Sequence, residues 1–86
     1  MKGIKEVSIQ QRDTLRSLRI KFGYTQEEAA TLVGVSVKTL RAWEKNSSNV
    51  PYQKMQTFER VYNTPHDFIF FGDEVAFSEL MRERIS

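Results

Sequence analysis

Residues 25–44 read TQEEAATLVGVSVKTLRAWE. The opening Thr25-Gln26-Glu27-Glu28 fits a capping box, in which Thr25 takes the Glu28 amide and the Glu28 carboxylate reaches back to the amide of Thr25. Ala29, Leu32 and Val33 form the inner face of the helix that follows, and Gly34 stops it. Two residues later Ser36 caps another helix over 37–45. Two short helices joined through a glycine cannot lie in line; they meet at a steep angle. Each part of the stretch then has a physical reason. Ala30 is small and lets the helices approach, Gly34 adopts the positive φ of a tight turn, and Val35 plugs the gap beneath it. Leu40 and Trp43, three apart, anchor the second helix on the core. Lys38, Arg41 and Lys45 share a different face at spacings of three and four. Val37, Lys38, Arg41 and Ala42 are thereby left to meet something outside.

Working outward, Ser8 is positioned to cap a helix over 9–22, with Leu15, Leu18 and Phe22 on one side and Gly23 closing it. Asn46-Ser47-Ser48-Asn49 is a polar loop. Pro51 suits the first turn of a helix over 51–62, with Met55, Phe58, Val61 and Tyr62 inward. Thr64-Pro65 opens a fifth, short helix carrying Phe68, Ile69, Phe70 and Phe71, and Gly72 ends it. Residues 74–85 can form a short amphipathic helix with Phe77, Leu80 and Met81 on one side. No segment sustains period-two alternation, so the expected fold is all-α: a compact cluster of five helices with an appended tail. The expected boundaries are an N-terminal arm at 1–7, the domain at 8–72 with its helix-turn-helix at about 26–45, and a tail at 73–86.

Composition narrows the functions. The 86 residues suit one domain, and the absence of cysteine excludes disulfides and thiolate metal sites. No long apolar run and no apolar leader core are present, which points to a cytoplasmic chain with no membrane partner. The net charge of +2 is unevenly placed: residues 1–60 carry eleven Lys/Arg against six Asp/Glu, and residues 61–86 carry two against five. A basic body ahead of an acidic tail suggests a polyanionic partner. An α-helix fits the major groove of B-DNA, where its N-terminal residues reach base edges. No catalytic triad, paired-carboxylate cleft or phosphate loop can be assembled, so no enzyme is expected. The one histidine, His66, has no ligand partners at metal spacing, and neither a metal nor a cofactor is expected. Arg12, Arg16 and Lys21 read as a solvated helix face.

Residues 12–72 resemble the helix-turn-helix domain of phage repressors and Cro proteins, the xenobiotic-response-element family. The resemblance rests on Arg19 ahead of Gly23, Thr25-Gln26-Glu27-Glu28, Ala30, Gly34, Ser36, Leu40 and Trp43-Glu44, followed by the Pro51 helix and TPHDFIFFG. It implies a lambda-repressor-like, five-helix domain and a regulator of phage or mobile-element type acting on double-stranded operator DNA. It implies that Gln26 holds a DNA phosphate, and that bases are read at Val37, Lys38 and either Arg41 or Ala42. Further phosphate contacts would come from Ser36, Thr39, Lys45, Asn46 and Ser47. It also implies an ion pair between Arg19 and Glu44. The sequence departs from the family pattern at Ala29, where leucine is usual, and at Asn46, where glycine is common and asparagine tolerates a left-handed conformation. Tyr52 stands where some members carry a minor-groove arginine.

Three roles fit this reading. The leading one is a sequence-specific, operator-binding transcriptional regulator of Cro/repressor-like type that acts as a homodimer. The second is an antitoxin that binds a protein partner through its tail and regulates its own operon. The third is a protein-interaction module without DNA binding. Phe70 and Phe71, with Phe77, Leu80 and Met81 of the tail, exceed what a five-helix core covers, and they are the candidate dimer surface.

Overall fold

A computed structural model of the chain describes residues 12–73, together with Glu79 and Arg82. Among them four α-helices follow one another: α1 (Leu15–Lys21), α2 (Gln26–Val33), α3 (Val37–Lys45) and α4 (Tyr52–Val61), with a 3-10 turn at His66–Phe68. The fold is all-α with no strand among the described residues. Helix α3 packs on α1 and α2, while α4 packs on α2 and on the 3-10 turn.

The caps of α2 and α3 follow from local chemistry. Thr25 Oγ1 accepts the Glu28 amide at 3.0 Å, and Glu28 Oε1 accepts the Thr25 amide at 2.8 Å. Ser36 Oγ accepts the Thr39 amide at 3.1 Å. Gly34 has φ 85° and ψ 36°, the left-handed conformation that ends α2, and both its amide and that of Val35 donate to Ala30 O. A side chain from α4 completes this end, for Lys54 Nζ donates to Val33 O at 2.9 Å.

Leu15 and Leu18 of α1, Ala29, Ala30 and Val33 of α2, Leu40 of α3, Phe58 of α4, and Val50, Tyr62 and Ile69 from the connections make up the core. Fully buried Ala29 and Ala30 let α3 sit close to α2. Volume is restored by aromatics: Phe58 stacks on Tyr62 at 5.9 Å, Trp43 meets Phe58 edge-on at 6.0 Å, and Tyr24 and Phe22 flank Tyr62.

Several expectations need correction. Helix α1 begins at Leu15 behind a Thr14 cap, and residues 12–14 are not helical. Asp13 is bridged in parallel to Ile69: its amide donates to Phe68 O and its carbonyl accepts the Phe70 amide, both at 2.8 Å. Backbone committed to that bridge cannot also wind into a helix. The proposed Ser8 cap and the arm at 1–7 lie outside the described residues. The same bridge cuts the fifth helix to one 3-10 turn, because Ile69 is extended at φ −111°, ψ 131°. Among the described residues the five-helix count therefore becomes four helices and a turn. Leu32 and Phe22 were expected inside, but they are 50% and 45% exposed. Asn46 is extended at φ −152° rather than left-handed, because it pairs antiparallel with Asp73. The left-handed asparagine is instead Asn63, at φ 47° beyond the end of α4.

Candidate nucleic-acid interface

Helix α3 divides its residues cleanly. Leu40 is fully buried, Glu44 nearly so, and Trp43 half-buried against the core. Lys38, Arg41, Ala42 and Lys45 are exposed on the other side. Val37 is half-buried and packs on the core's edge at the first turn. The α3 N-terminus is open, with Ser36 exposed and its hydroxyl donating to Thr39 Oγ1 at 3.0 Å. Unused amides of a helix's first turn, and the positive end of its dipole, favour an anion there. The result is a helix with a basic outer face and an anion-attracting start.

Beneath that face lies an ion pair. Arg19 Nε donates to Glu44 Oε2 at 2.6 Å and Arg19 Nη2 to Glu44 Oε1 at 3.2 Å, a two-pronged contact joining α1 to α3. The third prong, Nη1, donates to Tyr24 O at 3.1 Å. The hydrogen bonds to Glu44 raise the guanidinium pKa above its ordinary value. Nearby, burial pushes the Tyr62 hydroxyl up to about 12.

Gln26 stands between this pair and the outer face. Its Nε2 donates to Glu44 Oε1 at 3.2 Å, and its Oε1 accepts from Arg41 Nε at 3.0 Å. Gln26 and Arg41 are fifteen residues apart, so no helical spacing rule could have linked them. Only the crossing of α2 over α3 does so.

The loop after α3 is less open than expected. Asn46 is exposed and folds over an Asx turn, its Oδ1 accepting the Ser48 amide at 2.9 Å and the Ser48 hydroxyl at 2.6 Å. Ser47, counted among the phosphate contacts, is only 4% exposed. Its Oγ accepts the Gly72 amide at 2.7 Å, and its amide donates to Gly72 O at 2.8 Å. A hydroxyl tied inward this way is not available to a phosphate, so Ser47 is a structural residue. The missed signal was Gly72, whose backbone meets Ser47 from twenty-five residues away. Phe70 and Phe71 are half-buried, Phe71 stacking on His66 at 5.4 Å. Phe77, Leu80 and Met81 lie outside the described residues. His66 Nδ1 lies 3.2 Å from Glu59 Oε2. Among the described residues, no helix is long and apolar enough to cross a membrane.

Comparison with known proteins agrees with this geometry. Residues 15–69 match the helix-turn-helix family, a span of well over half the chain. Two proteins of Archaeoglobus fulgidus, each described as an uncharacterized HTH-type transcriptional regulator, are similar to it. One is 38% identical over 64 residues, covering 73% of this chain and 91% of the relative. The other is 36% identical over 63 residues, covering 73% and 89%.

Proposed function

This chain belongs to the helix-turn-helix family of Cro/repressor type, and on that premise we propose that it is a sequence-specific, double-stranded DNA-binding transcriptional regulator that lays α3 in the operator major groove. The observation that carries the reading is the two-sidedness of α3: Leu40, Trp43 and Glu44 are committed to the protein, while Lys38, Arg41 and Lys45 stand exposed on the opposite side. Nothing in the packing of the domain requires three cations there. Lys38 and Arg41 have the donors to reach guanine O6 and N7, and Val37 the methyls to pack on thymine. Gln26, Ser36, Thr39, Lys45 and Asn46 supply phosphate contacts that fix the register.

One recognition helix spans too few base pairs for useful selectivity. The regulator therefore acts as a two-fold dimer reading half-sites roughly 34 Å apart. Its self-contact involves the tail residues Phe77, Leu80 and Met81, with Phe70 and Phe71 at the root. Sedimentation equilibrium checks this part directly: a chain that stays monomeric at tens of micromolar, free and on DNA, ends the dimer proposal.

The experiment for the whole reading is selection of bound sequences from random DNA, followed by titration of the selected site against salt. Six to ten phosphate contacts per dimer would lower the affinity by about a thousandfold or more between about 50 and 200 mM salt. A log–log salt slope near zero, or no selected motif, overturns it.

A further inference from the structure

We infer that Gln26 is a specificity-determining positioning residue. It holds Arg41 in the direction from which Arg41 reads a base, and it is itself held by the Glu44 carboxylate. The inference rests on the DNA reading above and adds to it, because a phosphate contact alone would give Gln26 no influence over base preference.

Four side chains form one continuous line of hydrogen bonds, Arg19–Glu44–Gln26–Arg41, running from the interior to the exposed face of α3. The two ends differ in rigidity. Glu44 is 6% exposed and gripped by two arginine nitrogens, whereas Arg41 stands in solvent. Gln26 is half-buried at the first turn of α2, and it transmits the fixed end to the free one.

The chemistry allows only one orientation of its amide. A carboxylate only accepts and a guanidinium only donates, so the amide nitrogen must face Glu44 and the oxygen must face Arg41. The reversed amide would set its oxygen against the carboxylate and its NH2 against the guanidinium. Both neighbours therefore enforce the same placement.

The consequence for Arg41 lies in which nitrogen is used. Gln26 engages Nε, which leaves both terminal nitrogens free. Those two present the parallel pair of donors that matches guanine O6 and N7. An exposed arginine without such a tether spreads over many rotamers, and ordering it on binding costs entropy that the tether removes in advance. Gln26 still keeps a second amide hydrogen for a phosphate, so one side chain can serve affinity and selectivity together.

The test separates those two jobs. In Gln26→Lys the ammonium retains a donor for phosphate and a partner for Glu44, but it offers Arg41 no acceptor and repels it. Sequence selection and titration on matched and mismatched sites are made with the intact chain, with Gln26→Lys, with Arg41→Ala and with the double variant. The expected result for Gln26→Lys lies in its ratio of matched to mismatched affinity, which a uniform gain or loss at phosphate does not move. Its preference at the base pair where Arg41→Ala relaxes the motif falls about two- to tenfold, the equivalent of one net hydrogen bond. The double variant should lose no more at that base pair than Arg41→Ala alone. Gln26→Ala, which removes both functions, should weaken binding to all sequences and show the same local loss of preference, so the test survives if the lysine variant folds poorly. A Gln26→Ala motif identical to the wild type, while Arg41→Ala changes it, overturns the positioning role and leaves the DNA reading intact. Absence of any wild-type motif overturns both.

Discussion

Truncating Glu44 to alanine strands a buried guanidinium, and the cost can be worked from the geometry. The Glu44 side chain is 4% exposed and that of Arg19 is 12% exposed. The carboxylate accepts from Arg19 Nε at 2.6 Å, Arg19 Nη2 at 3.2 Å and Gln26 Nε2 at 3.2 Å. In Glu44→Ala all three donors lose their acceptor, and the arginine retains only its bond to Tyr24 O. Breaking one partner of a buried pair costs about 3–5 kcal/mol. The surviving Tyr24 bond and the slight exposure of Arg19 place this case near the lower end, at about 3 kcal/mol. For a domain of this size each kcal/mol lowers Tm by about 4–8 °C, so a fall of about 12–24 °C is expected. Urea and thermal unfolding followed by far-ultraviolet circular dichroism would measure it. A loss under about 1 kcal/mol, the value typical of exposed pairs, would refute the reasoning. The partner experiment removes both charges. Arg19→Met with Glu44→Leu should recover most of the lost stability, since replacing a buried pair with apolar side chains is often neutral or better.

Three further residues have testable roles in the same packing. The Tyr62 hydroxyl is buried with no hydrogen-bond partner among the described residues, so Tyr62→Phe should leave stability unchanged or raise it by about 1 kcal/mol in urea titrations. Because the folded-state pKa of Tyr62 is raised to about 12 from an unfolded value near 10, its contribution is complete below pH 10. The unfolded chain binds fewer protons above that pH, so stability should fall by roughly 2–3 kcal/mol between pH 10 and 12, a loss that Tyr62→Phe removes. Ser47→Ala deprives the Gly72 amide of its acceptor and should cost about 1–2 kcal/mol, with little change in the salt slope of DNA binding. Gly34→Ala forces a Cβ into φ 85° with Lys54 Nζ at 3.4 Å and should cost about 1–2 kcal/mol by thermal melting.

The parts of this molecule that sequence determines are those written within a few residues. Thr25 and Glu28, or Ser36 and Thr39, are three apart, and a capping bond needs nothing more distant than that. Gly34 declares its own left-handed turn. The alternation of Leu40, Trp43 and Glu44 with Lys38, Arg41 and Lys45 follows from helical geometry once the caps are placed. The pairing of Arg19 with Glu44 was legible only through the resemblance to a family, since no local rule joins residues twenty-five apart.

Tertiary structure decided what depends on backbone or side chains meeting from far along the chain. The sequence reading places residues 12–14 inside a helix over 9–22 capped by Ser8; they are held extended because Asp13 pairs with Ile69, and the same pairing stops the 3-10 turn at Phe68. Asn46 was read as a left-handed stop and is extended because Asp73 lies beside it. Ser47 was read as a surface hydroxyl and is buried because Gly72 covers it. In each case a hydrogen bond between distant backbone segments overrode a weak local preference. The link from Gln26 to Arg41 has the same origin: it exists only because α2 crosses α3 at the angle set by Ala29, Ala30 and Leu40 in the core, so the orientation of the exposed arginine is settled by packing in the interior.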